Sequence, residues 1–296
     1  MTSGIVNLLK PPGMSSRQAV SAVRRMMGEK AGHAGTLDPE ACGVLPIMVG
    51  RATRLFDYIA DQDKQYLAEL CFGAATDTQD AQGNVVAVGN CRPDEADIRQ
   101  AMTAFIGDVL QTPPAYSAIK IGGKRAYDLA RGGTWPAIEA RPIRIDSIDY
   151  VAGLSDSRHL IRVVCGKGTY IRTLCHDIGQ ALCCPAHMSF LLRERTGVFR
   201  VDEAMTMEEV QLLAEQRVSP DSWMMDMGQV LGHILPARVK DSYEKLCRNG
   251  GALPPGAVDL SDEPAEGRLY RMYCSQTLVC ISAFADGYFR VRTYLA

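Results

Sequence analysis

A chain of 296 residues that is 47% hydrophobic and 22% charged carries enough apolar material for a full core, which excludes a disordered or low-complexity protein and allows one large domain plus a smaller one. Its net charge of −2 excludes a uniformly basic nucleic-acid binder, yet the charge is segregated: residues 1–54 hold seven Lys/Arg against three Asp/Glu, residues 116–145 six against two, and residues 55–115 three against ten. A basic face is therefore compatible with a near-neutral total.

The run Ile5–Leu9 predicts a strand, stopped by the turn Lys10-Pro-Pro-Gly13. Ser15 and Gln18 have capping-box spacing, and Ala19, Val20, Val23, Met26 and Met27 share one helical face, so a helix is expected over 16–27. Beyond a Gly- and Pro-rich loop around Asp38, Val44–Val49 reads as a buried strand and Arg51–Ala60 as a second helix. Lys64–Phe72 predicts a strand that places Tyr66 on the same face as Ala68 and Leu70. A helix over 93–106 and strands over 141–152 and 158–165 continue an α+β pattern. The segment Cys165-Gly-Lys-Gly-Thr-Tyr-Ile-Arg172 runs from a strand into a helix whose apolar face is Ile171, Leu174, Ile178 and Leu182, which puts Arg172 in the first turn. Ala186–Arg193 reads as a strand ending in charge, and from about 235 onward short alternating runs, Leu278–Ser282 and Tyr288–Arg292, predict a small β-rich module.

Ten cysteines without a C-x-x-C pair, and five histidines set apart from them except at Cys175-His176, give no zinc spacing. The expectation is free thiols in a reducing compartment, most of them acting as small buried apolar residues. Met1–Leu9 lacks a basic region, a long apolar region and a cleavage-like site, and no apolar run is long enough to span a bilayer. The chain thus reads as cytoplasmic, with no membrane partner.

The chemistry centres on Ala31-Gly-His-Ala-Gly-Thr-Leu-Asp-Pro-Glu-Ala-Cys-Gly-Val-Leu-Pro46, where one carboxylate, Asp38, lies in a backbone-constrained loop five residues after His33. Gly and Asp-Pro are also ordinary turn residues, so local pattern alone leaves Asp38 between a turn and a nucleophile. A cation in the first turn of a helix is mildly unfavourable, so Arg172 needs another partner, and Asp38 would satisfy it. Such a pair keeps a carboxylate ionised and oriented, as nucleophilic catalysis requires. The basic, aromatic-bearing segment Thr112–Tyr127 with Arg131-Gly-Gly133 reads either as a grip on a phosphate backbone or as a surface hairpin.

Lys10-Pro11, Gly32-His-Ala-Gly-Thr-Leu-Asp-Pro39, Lys64-Gln-Tyr66, Thr76-Asp-Thr-Gln-Asp80, Lys167-Gly-Thr-Tyr-Ile-Arg172 and Ala186-His-Met-Ser-Phe-Leu191 stand in the order and spacing of the TruB family, which the chain resembles over roughly residues 4–230. Members of that family are bacterial tRNA pseudouridine-55 synthases. The resemblance implies a pseudouridine synthase fold, with a central mixed, mostly antiparallel sheet flanked by helices. It implies a catalytic domain over 1–232 with a thumb-like RNA-binding segment at about 112–145, and a PUA-like RNA-binding module over 233–296. It implies Asp38 as the catalytic nucleophile, Tyr66 as the ring that stacks on the target base, and Arg172 as the partner of the aspartate. Tyr170 and Leu191 would line the uracil pocket, His33 would support the RNA loop after the target nucleotide is extruded, and Lys10 and Asp80 would support the active-site loop and the catalytic pair.

No cofactor or metal is implied. The implied partner is the T stem-loop of tRNA, bound by a monomer that requires no protein partner. Two features depart from the family's pattern: Glu194 is acidic where a neutral or basic residue is more common, and the glycine pattern of the C-terminal part fits only loosely. A non-catalytic RNA-binding or tRNA-folding chaperone and a guide-RNA-dependent pseudouridine synthase remain the alternatives. The intact set Asp38, Tyr66 and Arg172 speaks against the first, and the lack of a basic tail against the second.

Overall fold

The computed structural model describes residues 2–117, 120–121, 124–125 and 138–296. The strands are β1 (Gly4–Lys10), β2 (Ala31–His33), β3 (Cys42–Val49), β4 (Lys64–Phe72), β5 (Ala74–Thr76), β6 (Val85–Val88), β7 (Gly107–Gln111), β8 (Lys120–Ile121), β9 (Lys124–Arg125), β10 (Arg141–Ser155), β11 (Arg158–Cys165), β12 (Ala186–Thr196) and β13 (Phe199–Arg200) in the larger part of the chain. The central sheet has the order β1-β3-β12-β4-β11-β10-β7, with β2 pairing β3 and β13 pairing β12. Its pairs are antiparallel except β3 with β12, which makes it mixed and mostly antiparallel, as expected. Much of the basic segment from 112 to 133, namely 118–119, 122–123 and 126–133, lies outside the described residues.

Helix α1 (Ser16–Met27) carries the expected capping box of Ser15 and Gln18 and ends at Gly28 in the left-handed conformation. It buries Ala19 and Val23 against the sheet. The second helix differs from expectation: Gly50–Leu55 forms a 3-10 turn, and only α2 (Phe56–Ala60) is α-helical. Helix α3 (Glu95–Thr103) is shorter than expected at both ends; its start is fixed by Asp94, which caps it by accepting from the Asp97 N–H. Helix α4 (Ile171–Ala181) buries Ile171, Leu174 and Ile178 and packs against β12 and β4.

The C-terminal strands β14 (Leu235–Val239), β15 (Val258–Asp259), β16 (Leu269–Cys274), β17 (Thr277–Ala285) and β18 (Tyr288–Tyr294) form a separate five-stranded sheet in the order β15-β14-β16-β17-β18. Leu278, Ile281 and Leu295 of this sheet pack in one buried cluster with Ile5, Met48, Leu55 and Ile59 of the larger part. Two polar links reinforce the seam: Arg54 Nη1 donates to the Tyr294 carbonyl at 2.6 Å, and the hydroxyls of Tyr58 and Thr293 lie 2.9 Å apart.

The cysteines require one correction. Cys91 and Cys184 form a disulfide with Cα atoms 5.8 Å apart, tying the segment after β6 to the turn that follows α4. Neither sequence spacing nor composition could show this, since 93 residues separate the two. The other eight are free thiols, with Cys165, Cys175, Cys247, Cys274 and Cys280 buried as small apolar residues.

Candidate active site

The Asp38 loop joins β2 to β3, and side chains from two other elements fix its course. Ser16, the first residue of α1, is buried; its hydroxyl donates to the Leu37 carbonyl and accepts from the Leu37 N–H, both at 2.9 Å. Lys10, at the end of β1, is fully buried, and its ammonium donates to the carbonyls of Pro11, Met14 and Pro39 at 2.8, 2.5 and 2.9 Å. Three acceptors match the three N–H bonds of an ammonium, so the loop supplies what the buried charge needs. Burial still pushes the Lys10 amine down to about 8.

Asp38 is presented at the mouth of a cleft with its side chain 42% exposed, and Arg172 reaches it from the first turn of α4. Arg172 Nε lies 3.0 Å from Asp38 Oδ2, and Nη1 lies 3.3 Å from Asp80 Oδ2. The remaining donors go to carbonyls: Nη1 to Thr78 at 3.2 Å and Nη2 to Tyr116 at 3.1 Å. A guanidinium presents its N–H bonds in a fixed plane, so two carboxylates and two carbonyls together dictate where it sits. Asp80 is itself fixed in the turn between β5 and β6, where its Oδ1 accepts from the Thr78 hydroxyl at 2.7 Å and the Gln82 N–H at 3.0 Å. The protein packed around Asp38 pushes its carboxyl above the usual range; Arg172 opposes this, Asp80 adds to it, and Lys10 opposes it.

The cleft has a volume of ≈ 420 Å³, within the range of small-molecule sites. Asp38, Tyr66, Tyr170, Arg172 and Leu191 all line it. Tyr66 projects from β4, and Leu191 lies beside it on β12, paired with Ala68. Tyr170 precedes α4 and is clamped at its peptide by Gln111, whose Oε1 accepts from the Tyr170 N–H at 2.8 Å while its Nε2 donates to the Tyr170 carbonyl at 3.0 Å. Burial raises the phenol pKa of both Tyr66 and Tyr170.

His33 and Lys10 do not line the cleft. His33 lies on β2 opposite Ile47, and burial, followed by the charge of Arg193, lowers its imidazole pKa. Lys10 acts from beneath the loop. Among the cleft residues not anticipated are two buried cations: Lys64, whose ammonium donates to the Ala60 carbonyl at 2.5 Å and to the Gln62 carbonyl, and Arg193. Burial pushes the Lys64 amine down to about 8. Glu194, the acidic departure, forms a bidentate pair with Arg162 at 2.8 and 3.1 Å and accepts from Gln65 at 2.8 Å, so a neighbouring cation balances its charge. No group of histidine, cysteine and carboxylate side chains suited to a metal occurs among the described residues. No helix among them is long and apolar enough to cross a membrane.

The architecture is shared with chains of RNA-protein assemblies. A chain in the structure of an H/ACA RNP bound to a substrate RNA containing 2'-deoxyuridine aligns with a TM-score of 0.77 at 24% identity, covering 99% of this chain and 85% of that one. A chain of a Cbf5-Nop10-Gar1 complex aligns equally well, with a TM-score of 0.77 at 26% identity and the same coverage. Within that fold class the sequence is more specific. The profile of the TruB family pseudouridylate synthase N-terminal domain matches residues 24–171, and that of the tRNA pseudouridylate synthase B C-terminal domain matches residues 172–236. The tRNA pseudouridine synthase B of Symbiobacterium thermophilum is 48% identical over 232 residues, 77% of each chain. That of Pelotomaculum thermopropionicum is 39% identical over 287 residues, 95% of this chain and 90% of the relative. The chain belongs to the TruB family of pseudouridylate synthases.

Proposed function

We propose that the chain isomerises uridine 55 in the T loop of tRNA to pseudouridine, with Asp38 as nucleophile. The observation that carries this reading is the buried Arg172 holding Asp38 at 3.0 Å on the rim of a cleft whose walls are Tyr66, Tyr170 and Leu191. A base stacked inside an RNA loop hides its reacting atoms, so the target uridine swings out into this cleft and stacks on Tyr66. Asp38 attacks the nucleotide and the bond between ribose C1' and base N1 breaks. The base then rotates, and a C1'–C5 bond forms as the bond between Asp38 and the nucleotide breaks, which frees the carboxylate; C5 releases its proton to solvent, and N1 takes one up. The reaction is a balanced isomerisation in which nothing is oxidised or reduced, and its chemistry calls for no cofactor. Arg172 keeps the carboxylate charged and aimed, Lys10 serves the loop that carries it, and His33 supports the RNA loop once the target nucleotide has swung out.

The relatives named tRNA pseudouridine synthase B favour a stand-alone tRNA enzyme over the guide-dependent type, and the filled set of site residues favours catalysis over simple RNA binding. We assign residues 1–232 to catalysis, the basic segment at about 112–145 to a grip on the RNA stem, and residues 233–296 to a PUA-like RNA-binding module acting in a cytoplasmic monomer. Tritium release from tRNA labelled at C5 of uridine, with wild type and Asp38→Asn compared, tests the reading. Wild type is expected to release tritium and the variant none; release by the variant would exclude Asp38 as the nucleophile.

A further inference from the structure

Building on the isomerisation proposed above, we propose that Arg193 is a positioning residue for it, holding the Asp38 loop in register with Tyr66. Arg193 lies on β12 and is 1% exposed, yet it contributes to the cleft wall. In the sheet it stands directly opposite Tyr66 on β4 and opposite Gly43 on β3. Its guanidinium spans both ends of the catalytic loop: Nε donates to the Val44 carbonyl at 2.7 Å, and Nη2 donates to the Gly35 carbonyl at 3.1 Å.

The start of the loop and the first residues of β3 are shaped for the close approach of β12. Gly35 and Gly43 have φ values of +88° and +109°, a region that favours glycine. A Cβ on Gly43 would stand 2.3 Å from the Arg193 carbonyl oxygen, so no larger residue fits there. One side chain therefore connects three things that must keep a fixed relation: the start of the loop, its end, and the strand position facing the stacking ring.

Tying carbonyls together does not by itself require a charge. The two carbonyls that accept from Arg193 are neutral, as is the Tyr66 phenol with which its side chain also interacts, and no carboxylate forms an ion pair with it among the described residues. An uncompensated buried cation costs stability, which a neutral donor would avoid. Its field acts on the site, opposing the protonation of His33, Lys10 and Lys64 and easing the ionisation of Tyr66. A cation here accordingly fixes the loop and keeps the cleft electropositive for a nucleotide carrying phosphate. The loss of Arg193 should fall on the chemical step, which depends on sub-ångström placement, more than on RNA affinity, which is spread over a wide surface.

The test compares the full chain as wild type, Asp38→Asn, Arg193→Lys and Arg193→Met, using single-turnover tritium release at saturating T stem-loop RNA, the RNA dissociation constant and the melting temperature. Arg193→Met is expected to slow the chemical step about 100-fold while the dissociation constant stays within about threefold. Arg193→Lys keeps the charge and can serve one of the two carbonyls, so it is expected to recover about tenfold of that loss. If Arg193→Met does not fold, the lysine variant decides: a slower chemical step at unchanged affinity supports the proposal, and a wild-type rate overturns it. A folded Arg193→Met with a near wild-type rate also overturns it, as does a loss that lysine leaves unrelieved. Tritium release by Asp38→Asn would instead overturn the assignment of the nucleophile, whatever the Arg193 variants do.

Discussion

Asp38 is subject to opposed demands, since the proposed nucleophilic role needs it ionised while the protein around it disfavours the charge. Because the surrounding protein holds its carboxyl above the ordinary carboxylate range, the folded chain holds more protons than the unfolded one between the ordinary and the raised pKa. Stability contributed by this group therefore falls as pH rises through that window. Asn at this position carries no such charge, and Arg172 retains Asp80 as a partner. Asp38→Asn is expected to melt above wild type at pH 7, with the gap closing as pH falls toward 4. Thermal melts across pH check this; a variant melting below wild type at pH 7 would mean that the Arg172 pair outweighs the burial cost. The partnership itself was legible in the sequence, because a cation in the first turn of a helix asks for an anion. Gln111, Ser16 and Arg193 were not legible: they bind backbone groups 59, 21 and 149 residues away, and such contacts leave no local pattern.

At the level of elements, strands and helices with strong periodicity or caps followed the sequence closely, as α1 and β4 illustrate. The segment 50–60 did not, because apolar spacing alone cannot separate a 3-10 turn from an α-helix over so few residues. The Asp38 loop shows how elements rather than loop residues set the geometry, with β1 supplying Lys10 and α1 supplying Ser16. Replacing Lys10 by Met leaves the carbonyls of Pro11, Met14 and Pro39 without their donor inside the protein. The expected cost is about 2–4 kcal/mol of stability, with a larger proportional loss of turnover because the Pro39 peptide adjoins Asp38. Denaturant melts and turnover on tRNA check this. Full activity in a destabilised variant would show that Ser16 alone fixes the loop.

For the whole molecule, the decisive feature is the seam between the two sheets. Ile281 of β17 is fully buried in the same cluster as Ile5, Met48 and Leu55, so the C-terminal sheet completes a core that the larger part begins. Sequence reading found the β-rich module but not this shared core, because alternation within a strand shows that one face is buried without showing against what. Units that share a core unfold together. Ile281→Ala, though remote from the cleft, is therefore expected to cost about 3 kcal/mol and to lower a single melting transition of the full chain, with activity lost over the same temperature range. Calorimetry together with activity after heating checks this. Two separate transitions, with only the smaller shifted by the substitution, would mean that the module is tethered rather than fused to the larger part.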